Sequence, residues 1–240
     1  MASEHIVRGY DEQLKRLKAE ISEMGGLAEA QLGQAIQAIN TRDCELGQRC
    51  VASDKRVDAL ERQIDESVVT MLALRQPMAS DLRTILSALK IAADLERIGD
   101  YAANVGKRVQ ALVQFPPVPS ISGVVRLGQL ARLVLKDVLD AFAASDAAAA
   151  IRVWQRDEEL DAVYTSLFRE LLTYMMEDPR NITPCTHLLF IAKNLERIGD
   201  HATNIAETIH FQVVGHTIAE KRPKGDQSSF TVVGRDASKS

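Results

Sequence analysis

The sequence predicts an all-α fold: two tandem, similar three-helix bundles, six long helices in all, with a short disordered C-terminal tail. Three observations carry this reading. Leu95-Glu96-Arg97-Ile98-Gly99-Asp100 recurs letter for letter as Leu195-Glu196-Arg197-Ile198-Gly199-Asp200, and Leu89, Ile91, Ala92, Ala102 and Asn104 return at the same offset as Leu189, Ile191, Ala192, Ala202 and Asn204. One helical module is therefore present twice. The apolar residues of the first copy fall at 91, 95, 98, 102 and 105, a three-and-four spacing that draws one stripe along a helix. Finally, 46% of the residues are hydrophobic but only 5% aromatic, which suits amphipathic helices better than strands.

The elements follow in order. Ile6, Tyr10, Leu14, Leu17, Ile21, Met24, Ala28, Leu32, Ala35 and Ile39 make one apolar stripe, predicting a first helix over 4–40. Gly25-Gly26 inside it marks a bend or a close helix packing. Asp43 is a candidate N-cap for a second helix over 43–75, whose stripe is Val57, Leu60, Ile64, Val68 and Met71, and Pro77 ends it. Ser80 or Asp81 is expected to cap a third helix reaching 114. Pro116, Pro117 and Pro119 then exclude helix and place the linker between a first bundle, 1–115, and a second, 120–215. In the second half the pattern predicts helices over 121–145, 147–177 and 183–214, the last two separated by 179–184. Residues 216–240 are rich in Lys, Arg, Gly, Ser and Asp and read as a tail without a folding core, with a short strand at 230–233 as the competing reading.

The repeat also sets where chemistry is to be sought. Glu96, Asp100 and Asn104 stack at i, i+4 and i+8, off the apolar stripe, as do Glu196, Asp200 and Asn204. Glycine inside a helix costs about 1 kcal/mol relative to alanine, so its recurrence at 99 and 199 predicts a close approach there. On the second predicted helix Asp54, Asp58, Glu61 and Asp65 share one narrow face, and Asp157 and Asp161 lie at the corresponding place on the fifth. There Tyr164 and Phe168 replace Glu61 and Asp65, which are accordingly read as surface charge. Antiparallel packing would bring Asp54 and Asp58 against Glu96 and Asp100, and Asp157 and Asp161 against Glu196 and Asp200. Carboxylates so crowded repel one another, and a cation removes the conflict. All-oxygen donors favour a hard or borderline ion such as magnesium, manganese, calcium or iron. Asn104 and Asn204 are candidates for an outer hydrogen bond, and Arg97 and Arg197 for partial neutralisation. The bland alternative is an acidic helix face paired with neighbouring Lys and Arg.

Other classes are disfavoured. A net charge of −4 gives no reason to expect nucleic acid. Cys44, Cys50 and Cys185 form no close pair, so neither a disulfide framework nor a thiolate metal site is indicated. The start of the chain lacks the pattern of a signal peptide and no apolar run suffices to span a bilayer, so a cytoplasmic location is expected. Carboxylate di-iron bundles carry Glu-x-x-His, whereas here glycine stands third after each Glu. No phosphate loop or nucleophile motif occurs. A docking module is expected rather than an enzyme; the alternatives are a metal-dependent hydrolase or redox enzyme on the same carboxylates, or a metal-free helical scaffold.

The doubled Leu-Glu-Arg-Ile-Gly-Asp, together with Gln76-Pro77-Met78-Ala79-Ser80-Asp81-Leu82-Arg83 ahead of the first copy, resembles the PhoU family over nearly the whole chain. That resemblance implies two similar three-helix bundles whose Glu/Asp-x-x-x-Asp pairs hold metal clusters, here Asp54/Asp58, Glu96/Asp100, Asp157/Asp161 and Glu196/Asp200. The expected ions are divalent or trivalent, among iron, magnesium, manganese and zinc. It also implies a homodimeric regulator that links the phosphate ABC transporter to the phosphate-sensor histidine kinase, represses the phosphate regulon and meets the membrane only through its partners. Asn181 and Thr183 stand where the first half has Asp81 and Arg83, so the role of those two would belong to one bundle.

Overall fold

Among the described residues eight helical segments follow one another: α1 (Ala2–Thr41), α2 (Cys44–Arg75), α3 (Ala79–Leu112), α4 (Ile121–Ala144), α5 (Ala147–Gln155), α6 (Asp157–Glu177), a 3-10 turn (Pro179–Asn181) and α7 (Ile182–Val214). The structure, a computed structural model, describes the backbone of residues 2–75, 77–220 and 222, and the side chains of 10–74, 77–220 and 222. No strand occurs among the described residues. Most of the expected tail, including 230–233, lies outside them.

The helices form where the apolar stripes run. Leu17, Ile21, Met24, Ala28, Leu32, Ala35 and Ile39 of α1 and Val57, Ile64, Val68 and Met71 of α2 are buried, as are Ile91, Leu95, Ile98, Ala102 and Val105 of α3. Asp43 caps α2 as expected, its Oδ1 accepting from the Leu46 N–H at 3.0 Å. The start of α3 differs: Met78 is the N-cap, without a side-chain bond. The first helical bond there runs from the Leu82 N–H to the Met78 carbonyl. Ser80 and Asp81 therefore sit inside the first turn, where the Asp81 carboxylate meets the positive end of the helix dipole.

The predicted fifth helix is two. The chain breaks at Arg156, whose N–H turns back to the Val153 carbonyl. A new helix starts on Asp157, Glu158 and Glu159, a run of acids suited to a helix N-terminus. Arg156 holds the joint by pairing with Asp137 of α4 at 2.6 Å and Glu159 at 3.7 Å.

Helices α2 and α3 are antiparallel. Gly47 crosses Gly106, Cys50 Sγ reaches the Ala102 carbonyl at 3.3 Å, and Asp54 faces Gly99. The pair α6–α7 repeats this course: Asp157 meets Thr203, Leu160 meets Gly199, and Tyr164 lies under Lys193. The two sets, α1–α3 and α4–α7, join along two antiparallel seams. In one, α1 meets α4 through Gly25 against Leu139, Glu29 with Arg132 and Ile36 on Gly128. Gly25 thus marks a close packing, and α1 runs through it unbroken. In the other, α3 meets α7 through Asp94 and His201, 2.7 Å apart, and Arg108 stacked on Phe190. A single apolar core runs through both sets.

Candidate metal-binding carboxylate sites

The first site lies on α2 and α3. A Cβ added at Gly99 would stand 3.2 Å from Asp54 Oδ1, Gln31 Oε1 and Val57 Cγ1; the close approach expected at this glycine is the neighbouring helix. Gln31 of α1 is buried, and its amide donates to Asp54 Oδ1 at 3.0 Å, the Cys50 carbonyl at 3.2 Å and the Gly99 carbonyl at 3.1 Å. One α1 side chain thereby fixes the spacing of α2 and α3. Burial raises the Asp54 pKa, with Asp58 and Asp100 adding to the shift against the Gln31 bond. Glu96 is raised by burial, then by Asp100, with Glu61 and Asp58 contributing. Glu61 is raised by burial and by Asp65 and Asp58. Contrary to its reading as surface charge, Glu61 therefore belongs to this electrostatic group. Arg97 lies 3.6 Å from both Glu96 and Asp100, and Asn104 Oδ1 accepts from Lys107. Burial, aided by Asp54, pushes the Cys50 thiol beside the site up to about 12.

The second site lies on α6 and α7 and is deeper: Asp157, Asp161 and Glu196 are each only 4% exposed. A Cβ at Gly199 would come within 2.9 Å of Leu160 Cδ1, so an apolar contact replaces the polar one at Gly99. Thr203 donates to Asp157 Oδ1 at 3.1 Å, and Lys193 reaches Glu196 Oε1 at 2.9 Å. Arg197 lies 4.0 Å from Glu196 and 3.9 Å from Asp200. Arg222 pairs with Asp157 at 2.8 Å and with Asp200 at 2.6 Å. Asn204 accepts from Arg222 at 3.3 Å and donates to Asp94 of α3 at 3.4 Å.

The two sites are alike in carboxylates and unlike in countercharge. In the second, Lys193, Arg197 and Arg222 contact the acids; in the first, among the described residues, Arg97 does so. Lys193 and Thr203 stand where the first copy has Ala93 and Ala103. Those departures from the repeat are the signal available in sequence, whereas Gln31, on an apolar stripe, and Arg222, in the expected tail, gave none.

By donor type the first site fits a hard cation: its donors are carboxylate oxygens, and in three of the carboxylates burial first and neighbouring acids second raise the pKa. Among the described residues no three His, Cys, Asp or Glu side chains are gathered closely enough to hold one ion as they stand.

Fold and site define a class: a two-module α-helical protein whose modules each display carboxylates across one antiparallel helix pair. The PhoU domain family model matches residues 21–109 and 124–209. A Caulobacter vibrioides phosphate-specific transport system accessory protein PhoU homolog is 53% identical over 225 residues, covering 93% of this chain and 98% of that protein. Phosphate-specific transport system accessory protein PhoU of Escherichia coli K12 is 37% identical over 237 residues, covering 99% and 98%. The crystal structure of PhoU from Pseudomonas aeruginosa superposes with a TM-score of 0.84 at 41% identity, covering 86% of this chain and all of that one. The chain belongs to the PhoU family. The names of its relatives describe an accessory protein, not an enzyme.

Proposed function

We propose that this chain is a regulatory accessory protein of phosphate-specific transport. In this reading it works in the cytoplasm as a homodimer and links the phosphate ABC transporter to the phosphate-sensor histidine kinase. It represses the phosphate regulon and restrains uptake when phosphate is plentiful. Near full-length similarity to proteins named for that transport system supports this, and among the described residues no helix is long and apolar enough to cross a membrane.

The observation that carries the metal reading is the first site, where Asp54 stands against Gly99 of the facing helix and burial together with neighbouring acids raises the pKa of Asp54, Glu61 and Glu96. Asp54, Asp58, Glu96 and Asp100 would hold an ion there, and Asp157, Asp161, Glu196 and Asp200 form the corresponding set. A bound ion supplies positive charge that cancels the repulsion between helices. Gln31 positions Asp54, and Arg97 carries part of the countercharge. In this reading the role is docking, in keeping with relatives named as accessory proteins.

A strain lacking the gene is expected to express phosphate-regulated genes at high phosphate and to take up phosphate without restraint. Normal repression and uptake in that strain would sink the reading. Protein purified without tag or chelator is expected to carry metal, and Asp54, Asp58, Glu96 and Asp100 changed together to amides are expected to remove it from the first module.

A further inference from the structure

The segment after α7 runs back along it. Gly215 turns the chain with a φ of 92°, the His216 carbonyl lies 3.1 Å from His210 Nδ1, Ile218 packs on the core, and Arg222 arrives beside Asp200 and Asn204. The reach agrees. A stretch of seven residues can span at most roughly 23 Å, and returning from the end of α7 to that level covers roughly 18 Å of helix.

There the Arg222 guanidinium uses all three of its nitrogens. Nε and Nη2 grip Asp157 in a fork at 2.8 and 2.9 Å, Nη2 also reaches Asp200 Oδ1 at 2.6 Å and the Asp200 carbonyl at 3.4 Å, and Nη1 reaches Asn204. Its side chain is 15% exposed, against 3% for Asp157. Planar two-point pairing of this kind is among the strongest charge-assisted contacts. Both Asp157 oxygens are thereby engaged, so Asp157 and Asp200 are committed to a cation that the chain itself supplies. At the first site the equivalent Asp54 meets a neutral amide.

We propose that the second carboxylate site is a guanidinium site whose resident ligand is Arg222, and that this residue keeps metal ions out of the second module. The two modules are then unequal: the first takes a metal ion, and the second takes one only when the segment after α7 is lifted away. This rests on the metal reading given above.

Equilibrium dialysis with Mn²⁺, followed by elemental analysis, compares the wild-type chain with Arg222→Gln. The variant is expected to gain a further class of bound ion, held at least about tenfold more tightly than anything at that site in the wild type, and to lose it again when Asp157→Asn is added. Hydrogen exchange at residues 216–220 is expected to quicken in the wild type only at Mn²⁺ concentrations that begin to fill this second class. Superimposable isotherms for wild type and Arg222→Gln, both binding Mn²⁺, overturn the proposal and leave the metal reading of the first site standing. Mn²⁺ bound by neither chain overturns both.

Discussion

Gly26 and Gly106 both lie inside long helices, yet a methyl group would meet opposite surroundings at the two. At Gly26 nothing stands within 4 Å of an added Cβ, and the residue is exposed. At Gly106 the Cβ would come 2.7 Å from the Gly47 carbonyl oxygen and 3.3 Å from Cys50 Sγ. Gly26→Ala is expected to stabilise by about 0.5–1 kcal/mol, the ordinary helix preference. Gly106→Ala is expected to destabilise by about 1–3 kcal/mol, because helix backbone has to move apart. Denaturant titrations of both variants check this, and a Gly106→Ala chain as stable as the wild type would contradict the packing. At this scale the repeat identified Gly99 and Gly199 correctly as places of close approach. It left open what approaches, because Asp54 with Gln31 at one and Leu160 at the other come from elements outside the repeated motif. Cys50 belongs here too: burial, aided by Asp54, pushes its pKa up to about 12, which keeps the side chain a thiol.

Boundaries of the helices were legible wherever a residue with its own backbone demand stood at them. Asp43, Pro77 and the 116–119 prolines each mark an end. Asp43→Ala removes the one side-chain acceptor for the Leu46 N–H, so a loss of about 1 kcal/mol is expected. Thermal unfolding should register that as a Tm lower by about 2–4 °C. The break at Arg156 was hidden by a spacing that continues smoothly from Ala150 through Val153 and Trp154 to Leu160, all buried. Tertiary pairing of Arg156 with Asp137, distant in sequence, decides it. The same limit explains the two sites. Their carboxylates could be read from i, i+4 spacing because each pair sits on one helix, whereas Gln31 and Arg222 come from elsewhere in the fold.

One core through both modules means that charge in the first has consequences in the second. Trp154, the sole tryptophan, is buried and donates to Glu207 at 2.9 Å, so its fluorescence reports the α4–α7 set. Glu96, in the other set, has a pKa raised first by burial and then by Asp100. A carboxyl whose folded pKa exceeds its unfolded value holds its proton more tightly in the native state. Its contribution is favourable below the unfolded pKa, about 4.3 for Glu, and is lost as pH rises through the folded value. Glu96→Gln removes that loss and sacrifices only the 3.6 Å pairing with a half-exposed Arg97, a weak interaction in water. The metal-free variant is therefore expected to match the wild type near pH 4 and to exceed it at pH 7 by about 1–3 °C in Tm. Trp154 fluorescence and far-ultraviolet circular dichroism should give the same shift, since a core shared by both modules is expected to make them unfold as one. A gain confined to circular dichroism would mean that the modules unfold separately. A gain that shrinks as pH rises would mean that Arg97 outweighs the crowding of Asp58, Glu61 and Asp100 around Glu96.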